Sequence, residues 1–397
     1  MKNRNIILTT ILFALGSFAL PQMTQAVSPA PDGGYAGGNT AEGTNALLSR
    51  STGTYNTAIG IYSLLSLTDS SFCTGVGAGA LLANTSGRNT ATGAGALLSN
   101  IAGTNNTANG TFALFSSTAG NDNTAIGDEA LLVANNADGN TAVGSFALGV
   151  NTSGSLNTVI GAAAAITNTT GSSNTAVGLN ALFSNNGDSN TAVGRGALGA
   201  NTTGNNNVAL GFGAGSGVTT ANNVICIGTN VAGNDVNDSC YIGNIFGDTS
   251  GGGIAVLVNT NGRLGTMTSS RRFKDDIKLM DQASETLFAL KPVTFRYKKE
   301  IDPARTSQFG LVAEEVEKVN PDLIVRDKEG KPYSVRYEQV NAMLLNEFLK
   351  EHNTVQELRK ELAALTATVR DQAAQIEKVS ARLEVSKPAA KVVLNNP

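Results

Sequence analysis

Glycine recurs along two thirds of this chain with a period that admits very few folds. Gly43, Gly60, Gly77, Gly93, Gly110, Gly127, Gly144, Gly161, Gly178, Gly194, Gly211 and Gly228 are separated by seventeen residues, with two steps of sixteen. Each closes a unit of the form Asn-Thr-Ala-x-Gly. A short fixed period over twelve copies makes each copy one turn of a stack, burying apolar side chains only against its neighbours. Within a copy, Asn123 and Ala125 share one face of an extended segment, Thr124 and Ile126 share the other, and Gly127 ends it. A second apolar pair follows at Ala130-Leu131, repeated at Ala80-Leu81, Ala96-Leu97, Ala113-Leu114, Ala147-Leu148, Ala181-Leu182 and Ala197-Leu198. Turn-forming clusters such as Asn135-Asn136-Ala137-Asp138-Gly139 separate the pairs, which predicts a parallel β-solenoid with two short strands per turn. At about 4.8 Å per turn, twelve turns span roughly 60 Å.

Composition agrees with a rod: 45 Gly and no Trp in 397 residues do not furnish one large globular core. A core of small residues is marginal alone, so lateral association between copies is expected. Between Val27 and Thr268 the only bases are Arg50, Arg88, Arg195 and Arg263, against eleven acids, which excludes a footprint for nucleic acid or an anionic membrane. After Thr268 there are 22 bases and 20 acids, so the chain changes character between Arg263 and Ser270. At the N-terminus, Lys2 and Arg4, the apolar run Ile6 to Leu20 and then Thr24-Gln25-Ala26 form a secretory signal pattern, with cleavage after Ala26. The expected location is therefore secreted or at the cell surface of a bacterial envelope. A membrane anchor is the alternative, but the run is short for a bilayer span.

Cys73, Cys226 and Cys240 show neither disulfide nor zinc spacing and read as small apolar fillers, the alternative being a bridge between chains. Asn-x-Thr/Ser triplets such as Asn84-Thr85-Ser86 match glycosylation acceptors, yet asparagine at a repeated slot reads better as a turn or a stacked amide ladder. The aspartates do not recur at one slot, so no calcium ladder, and no metal or cofactor, is expected.

Beyond the break the pattern is α+β. Asp281 to Leu290 has helical spacing stopped by Pro292; Val293, Phe295 and Tyr297 alternate as a strand; Phe309 to Val312 is a second apolar run. A short helix from Ala313 to Val319 and a strand from Pro332 to Tyr337 follow, and from Glu338 the pattern is helical and long. Along it Val355, Leu358, Leu362, Leu365, Val369, Gln372, Ile376, Val379 and Leu383 form a heptad seam with one polar slot. A seam of that length predicts an oligomeric coiled coil.

The Asn-Thr-Ala-Ile/Val-Gly…Ala-Leu units, from about Gly37 to Gly243, resemble the head repeats of trimeric autotransporter adhesins and bacteriophage tail fibres. The membrane β-barrel of the adhesins has no counterpart in the sequence, so anchoring by that route is not expected. Ser269-Ser270-Arg271-Arg272-Phe273-Lys274-Asp275-Asp276-Ile277-Lys278 resembles the opening of the endosialidase-type intramolecular chaperone peptidases, Ser-Asp-x-Arg-x-Lys. Ser269, Arg272 and Lys274 match, while Ser270 stands where many members carry Asp. Leu290-Lys291-Pro292-Val293-Thr294-Phe295, Phe309 to Val316, Tyr333-Ser334-Val335-Arg336-Tyr337 and the closing heptads continue the likeness to about Leu383.

The resemblance implies a homotrimer and a Ser/Lys dyad that cuts its own chain once, at Thr268-Ser269, with Ser269 as nucleophile and Lys274 as general base. The one histidine, His352, lies in the long helix and would have to fold back to join a serine triad. A lysine base must be desolvated or crowded by cations, for which Arg271, Arg272 and Lys278 are neighbours. The spacing of five alone puts Ser269 and Lys274 on a common face in neither helix nor strand. A glycan-degrading shaft is disfavoured by the lack of aromatic platforms and paired carboxylates. The fold expected overall is a β-solenoid, a parallel β-roll of about seventeen-residue repeats, then a small α+β domain and a coiled-coil helix. The domain plan is a signal peptide at 1–26, a shaft at 27–262, the chaperone and autoprotease domain at 263–352, the coiled coil at 353–385 and a disordered tail at 386–397. The partners expected are two further copies of the chain and a surface glycan or protein whose identity the residues leave open.

Overall fold

The structure is a computed structural model that describes residues 35–248 and 250–385. The expected signal peptide and terminal tail lie outside the described residues. The chain divides into two units, 1–249 and 250–397.

The first unit is the solenoid. Its single sheet has thirteen parallel three-residue strands in sequence order, from Thr40–Glu42 to Cys240–Ile242. Like residues meet in register, as Thr124, Ala125 and Ile126 do with Thr141, Ala142 and Val143. The middle residue of most strands points inward and is buried, whereas the threonine and the β-branched aliphatic flanking it face outward.

Each turn holds one strand and not the two expected. The Ala-Leu pairs are buried, but Leu81, Leu114, Leu131 and Leu148 take φ of 54°, 52°, 48° and 54°, in the left-handed region. That conformation costs an L-residue about 1 kcal/mol. It is offset between turns: Leu131 N–H donates to the Ala147 carbonyl and Leu148 N–H to the Ala164 carbonyl, both at 3.0 Å. The leucine thus fills the core from a tight corner.

Asparagine supplies the second internal column. Asn106, Asn123, Asn140 and Asn157 are buried. The backbone N–H of Asn123 donates to Asn106 Oδ1 at 3.0 Å, and its own Nδ2 donates to the Ala137 carbonyl at 2.7 Å, so each side chain ties the turn before to the turn after. A buried amide left unpaired would cost about 1–3 kcal/mol, which makes this ladder specify register as well as stability. Asn84 belongs to a parallel buried column and donates to the Ser86 carbonyl, which hides it from any glycosylation chemistry. Cys73 and Cys226 are buried as expected, and burial pushes both thiols up; Cys240, in contrast, is exposed, because it occupies the outward slot opposite Ile225.

The last step of the stack shortens to fifteen residues, and Asp235 closes it. Its carboxylate accepts the N–H groups of Thr219, Thr220 and Ala221, each at 2.8 Å, and the hydroxyls of Thr219 and Thr220 at 2.6 and 2.9 Å. These five donors, led by the Thr219 hydroxyl, hold the carboxyl far below the usual carboxylate range. A carboxyl whose folded pKa is depressed contributes stability above its unfolded value and loses it as pH falls towards the folded one. Asp235→Ala is therefore expected to speed amide exchange at Thr219, Thr220 and Ala221 at pH 7. In the parent protein the same amides should begin to lose protection only below about pH 4.

The second unit is α+β. Three two-stranded antiparallel sheets pair Val256–Val258 with Leu264–Thr266, Val293–Phe295 with Gln308–Gly310, and Ile324–Arg326 with Pro332–Val335. Helix α1 (Ala313–Val319) and helix α2 (Tyr337–Val385) are as expected, whereas Asp281–Ala289 is a 3-10 helix. Val316, Leu323, Ile324, Val335, Val340 and Met343 form a small core. Beyond it α2 stands apart: Val355, Leu358, Leu362, Leu365, Val369, Ile376 and Val379 are all exposed. Among the described residues no helix is long and apolar enough to cross a membrane.

Candidate functional site

Ser269 and Lys274 lie five residues apart, and a single 3-10 turn, Arg271–Phe273, brings them together. Phe273 N–H donates to the Ser270 carbonyl at 3.0 Å and Lys274 N–H to the Arg271 carbonyl at 3.1 Å. The chain leaves this turn extended at Lys274, with φ −130° and ψ 130°. Lys274 Nζ then sits 3.2 Å from Ser269 Oγ. That is hydrogen-bond distance for a base and the hydroxyl it would deprotonate. The pairing that neither helix nor strand spacing provides is made by the turn.

The surroundings are open. Residues 262–279 are exposed throughout, Ser269 and Lys274 included. Of the nearby cations, Arg272 places its guanidinium 4.6 Å from the centre of the Phe273 ring. His352 lies on α2 with its ring stacked on Phe348 at 6.4 Å. Among the described residues no group of three His, Cys, Asp or Glu side chains could hold a metal.

Downstream, polar contacts tie the 3-10 helix to α2. Ser284 is buried and donates to Glu347, and Asn346 Nδ2 donates to Ser284 Oγ at 2.7 Å. The Ser284 hydroxyl and Lys350, 2.8 Å away, hold the Glu347 carboxyl below its ordinary value, the lysine contributing most. Leu311 N–H donates to the Tyr337 hydroxyl at 3.0 Å, fixing the strand Gln308–Gly310 against the start of α2. The Ser269–Lys274 pair thus stands at the head of a segment that folds onto the root of the long helix.

Residues 269–325 match the family model of the chaperone of endosialidase. The match opens on Ser269 itself, includes Lys274, and runs through α1 into the strand Ile324–Arg326. No curated protein and no solved structure matches the chain. A β-solenoid followed by a chaperone-of-endosialidase segment is tail-fibre-like in organisation.

Proposed function

We propose that this is an exported fibre-forming protein whose C-terminal module gathers three chains, sets the register of their solenoids and then cuts itself away between Thr268 and Ser269. The observation that carries the reading is the 3.2 Å approach of Lys274 Nζ to Ser269 Oγ at the first residue of the chaperone-of-endosialidase match. Parallel β-structure forms slowly because loop closure precedes the contacts that reward it. Tethering three chains at one end raises their local concentration and favours one register. Removing the tether afterwards leaves a fibre held by its unfolding barrier.

In the proposed reaction the free amine of Lys274 takes the Ser269 hydroxyl proton. Oγ attacks the Thr268 carbonyl carbon, the Thr268-Ser269 C–N bond breaks, and the freed amine of Ser269 takes the proton back from lysine. Water, deprotonated in turn by Lys274, hydrolyses the resulting ester, returning the proton to Ser269 Oγ and leaving a carboxylate on Thr268. A lysine serves as general base where water is excluded from around its amine. Ile277, Leu279, Phe288 and Phe309 are exposed in the single chain and available to neighbouring copies. Packing of neighbouring copies on that surface would desolvate Lys274, so cleavage follows assembly. Expression followed by denaturing electrophoresis tests the reading. The parent chain should give two fragments, and Ser269→Ala and Lys274→Ala only the full-length band; identical full-length bands for all three would sink the protease.

A second reading keeps the module as an uncleaved trimerisation foot of a surface protein. Ser270 favours it: standing where many family members carry Asp, its side chain makes no cap to the 3-10 turn that brings the dyad together. The same gel separates the two.

A further inference from the structure

One column of the solenoid, three residues before the first residue of each strand, reads Thr54, Ser71, Gly87, Thr104, Asn121, Asp138, Ser155 and onward. Along it the backbone N–H of one turn donates to the side chain of the next. Thr54 N–H reaches Ser71 Oγ at 3.0 Å, Thr104 N–H reaches Asn121 Oδ1 at 3.0 Å, and Asn121 N–H reaches Asp138 Oδ1 at 2.7 Å. The pattern then continues to Asn222 and Asn237. It breaks at Gly87. Glycine offers no acceptor to Ser71 N–H, and the bond from Gly87 N–H to Thr104 is not made either.

At that break the surface opens into a notch of about 330 Å³ lined by Ser71, Phe72, Gly87, Arg88, Thr104 and Asn105. Ser71 and Gly87, whose backbone N–H groups stand outside the ladder, line the same notch as Arg88. Asn105 Nδ2 is anchored on Asp122 Oδ1 at 3.0 Å, which leaves its carbonyl oxygen free to accept a hydroxyl. Phe72 bounds the notch, exposed and stacked on Tyr55 with ring centres 5.5 Å apart. Arg88 is one of only four bases between residues 27 and 268, in a shaft of eleven acids that repels anions elsewhere.

We propose that the Gly87 notch binds the carboxylate of an acidic saccharide. The carboxylate takes the Ser71 and Gly87 N–H groups and the Arg88 guanidinium, a bidentate partner suited to a planar anion. Thr104 and Asn105 take ring hydroxyls, and Phe72 meets the apolar edge of the sugar. A sulfate or phosphate would use the donors but not the hydroxyl partners or the ring. The proposal concerns the shaft alone and does not depend on cleavage at Thr268.

The test is calorimetric titration of the full chain with an oligogalacturonate, with a neutral malto-oligosaccharide of equal length and with sodium sulfate. Binding of the acidic oligosaccharide at least about tenfold tighter than either comparison is expected, a difference of about 1.4 kcal/mol. Arg88→Asn should weaken it by a further tenfold or so. Asparagine suits the left-handed φ of 63° there, which Asn105 and Asn206 adopt at the same slot, so this variant keeps its fold. Gly87→Ser should also close the notch by restoring an acceptor for the Ser71 N–H, with a small shift of the backbone because an ideal Cβ falls 2.9 Å from the Ser71 carbonyl oxygen. Absence of binding, equal binding of sulfate or of the neutral oligosaccharide, or unchanged affinity in Arg88→Asn would each overturn the proposal.

Discussion

Gly127→Val is expected to break the solenoid in the middle. Gly127 has φ of 136°, and a Cβ built on it falls 2.6 Å from the carbonyl carbon and oxygen of Gly144 in the next turn. The same approach recurs from Gly43 to Gly211, so the backbones of successive turns come too close in this column for a side chain. Backbone strain of about 1–3 kcal/mol adds to a clash with atoms that belong to the ladder and cannot yield. A total of roughly 3–5 kcal/mol is expected, among the larger effects of a single substitution. In a stack stabilised by nearest neighbours, the loss falls on one interface and uncouples the turns on either side. Thermal unfolding followed by circular dichroism should lose its single transition. Gly196→Asn is the control: a Cβ there meets nothing within 4 Å, and asparagine already takes the same left-handed slot at Asn45 and Asn180. Its melting should stay within about 0.5 kcal/mol of the parent.

Changing Leu358 and Leu362 together to Asp is expected to abolish association and, with it, self-cleavage. Both leucines project from α2 into solvent in the single chain, at 57% and 63% exposure, on a seam whose spacing suits parallel helices. Two carboxylates at the centre of a coiled coil cannot be buried unpaired. Ser269 and Lys274 remain chemically intact in this variant, yet Lys274 keeps the open, water-exposed surroundings it has in the single chain. Without a working general base the rate should fall by roughly 10²–10⁴-fold. Size-exclusion chromatography with light scattering reads the assembly and denaturing electrophoresis reads the cut. A monomer that still cleaves at the parent rate would separate the two activities and remove assembly from the mechanism.

The stacking was legible in the sequence because a solenoid writes its period into every turn. Gly127, Gly144 and Gly161 stand at equal steps for the same steric reason, and Ala125 and Asn123 share the inward face that alternation assigns them. The conformation of Leu131 was not legible. A leucine at φ 48° is locally unfavourable, and only the Ala147 carbonyl of a neighbouring turn makes it stable. Ser269 and Lys274 were legible as residues through the motif around them, while their meeting depends on the turn at Arg271–Phe273, which no periodicity announces. The Gly87 notch left a faint mark, glycine in a slot that Ser, Thr, Asn or Asp holds in every other turn after the first. Its meaning rests on the side-chain-to-backbone ladder that only the stacked turns reveal.

Native mass spectrometry of the protein purified from expressing cells, with the termini read after denaturation, tests most directly whether the C-terminal module assembles the fibre and then leaves it. The account predicts an assembly of three chains that each end at Thr268, together with a released fragment beginning at Ser269. A single uncut chain, persisting at concentrations where the solenoid is folded, would contradict it.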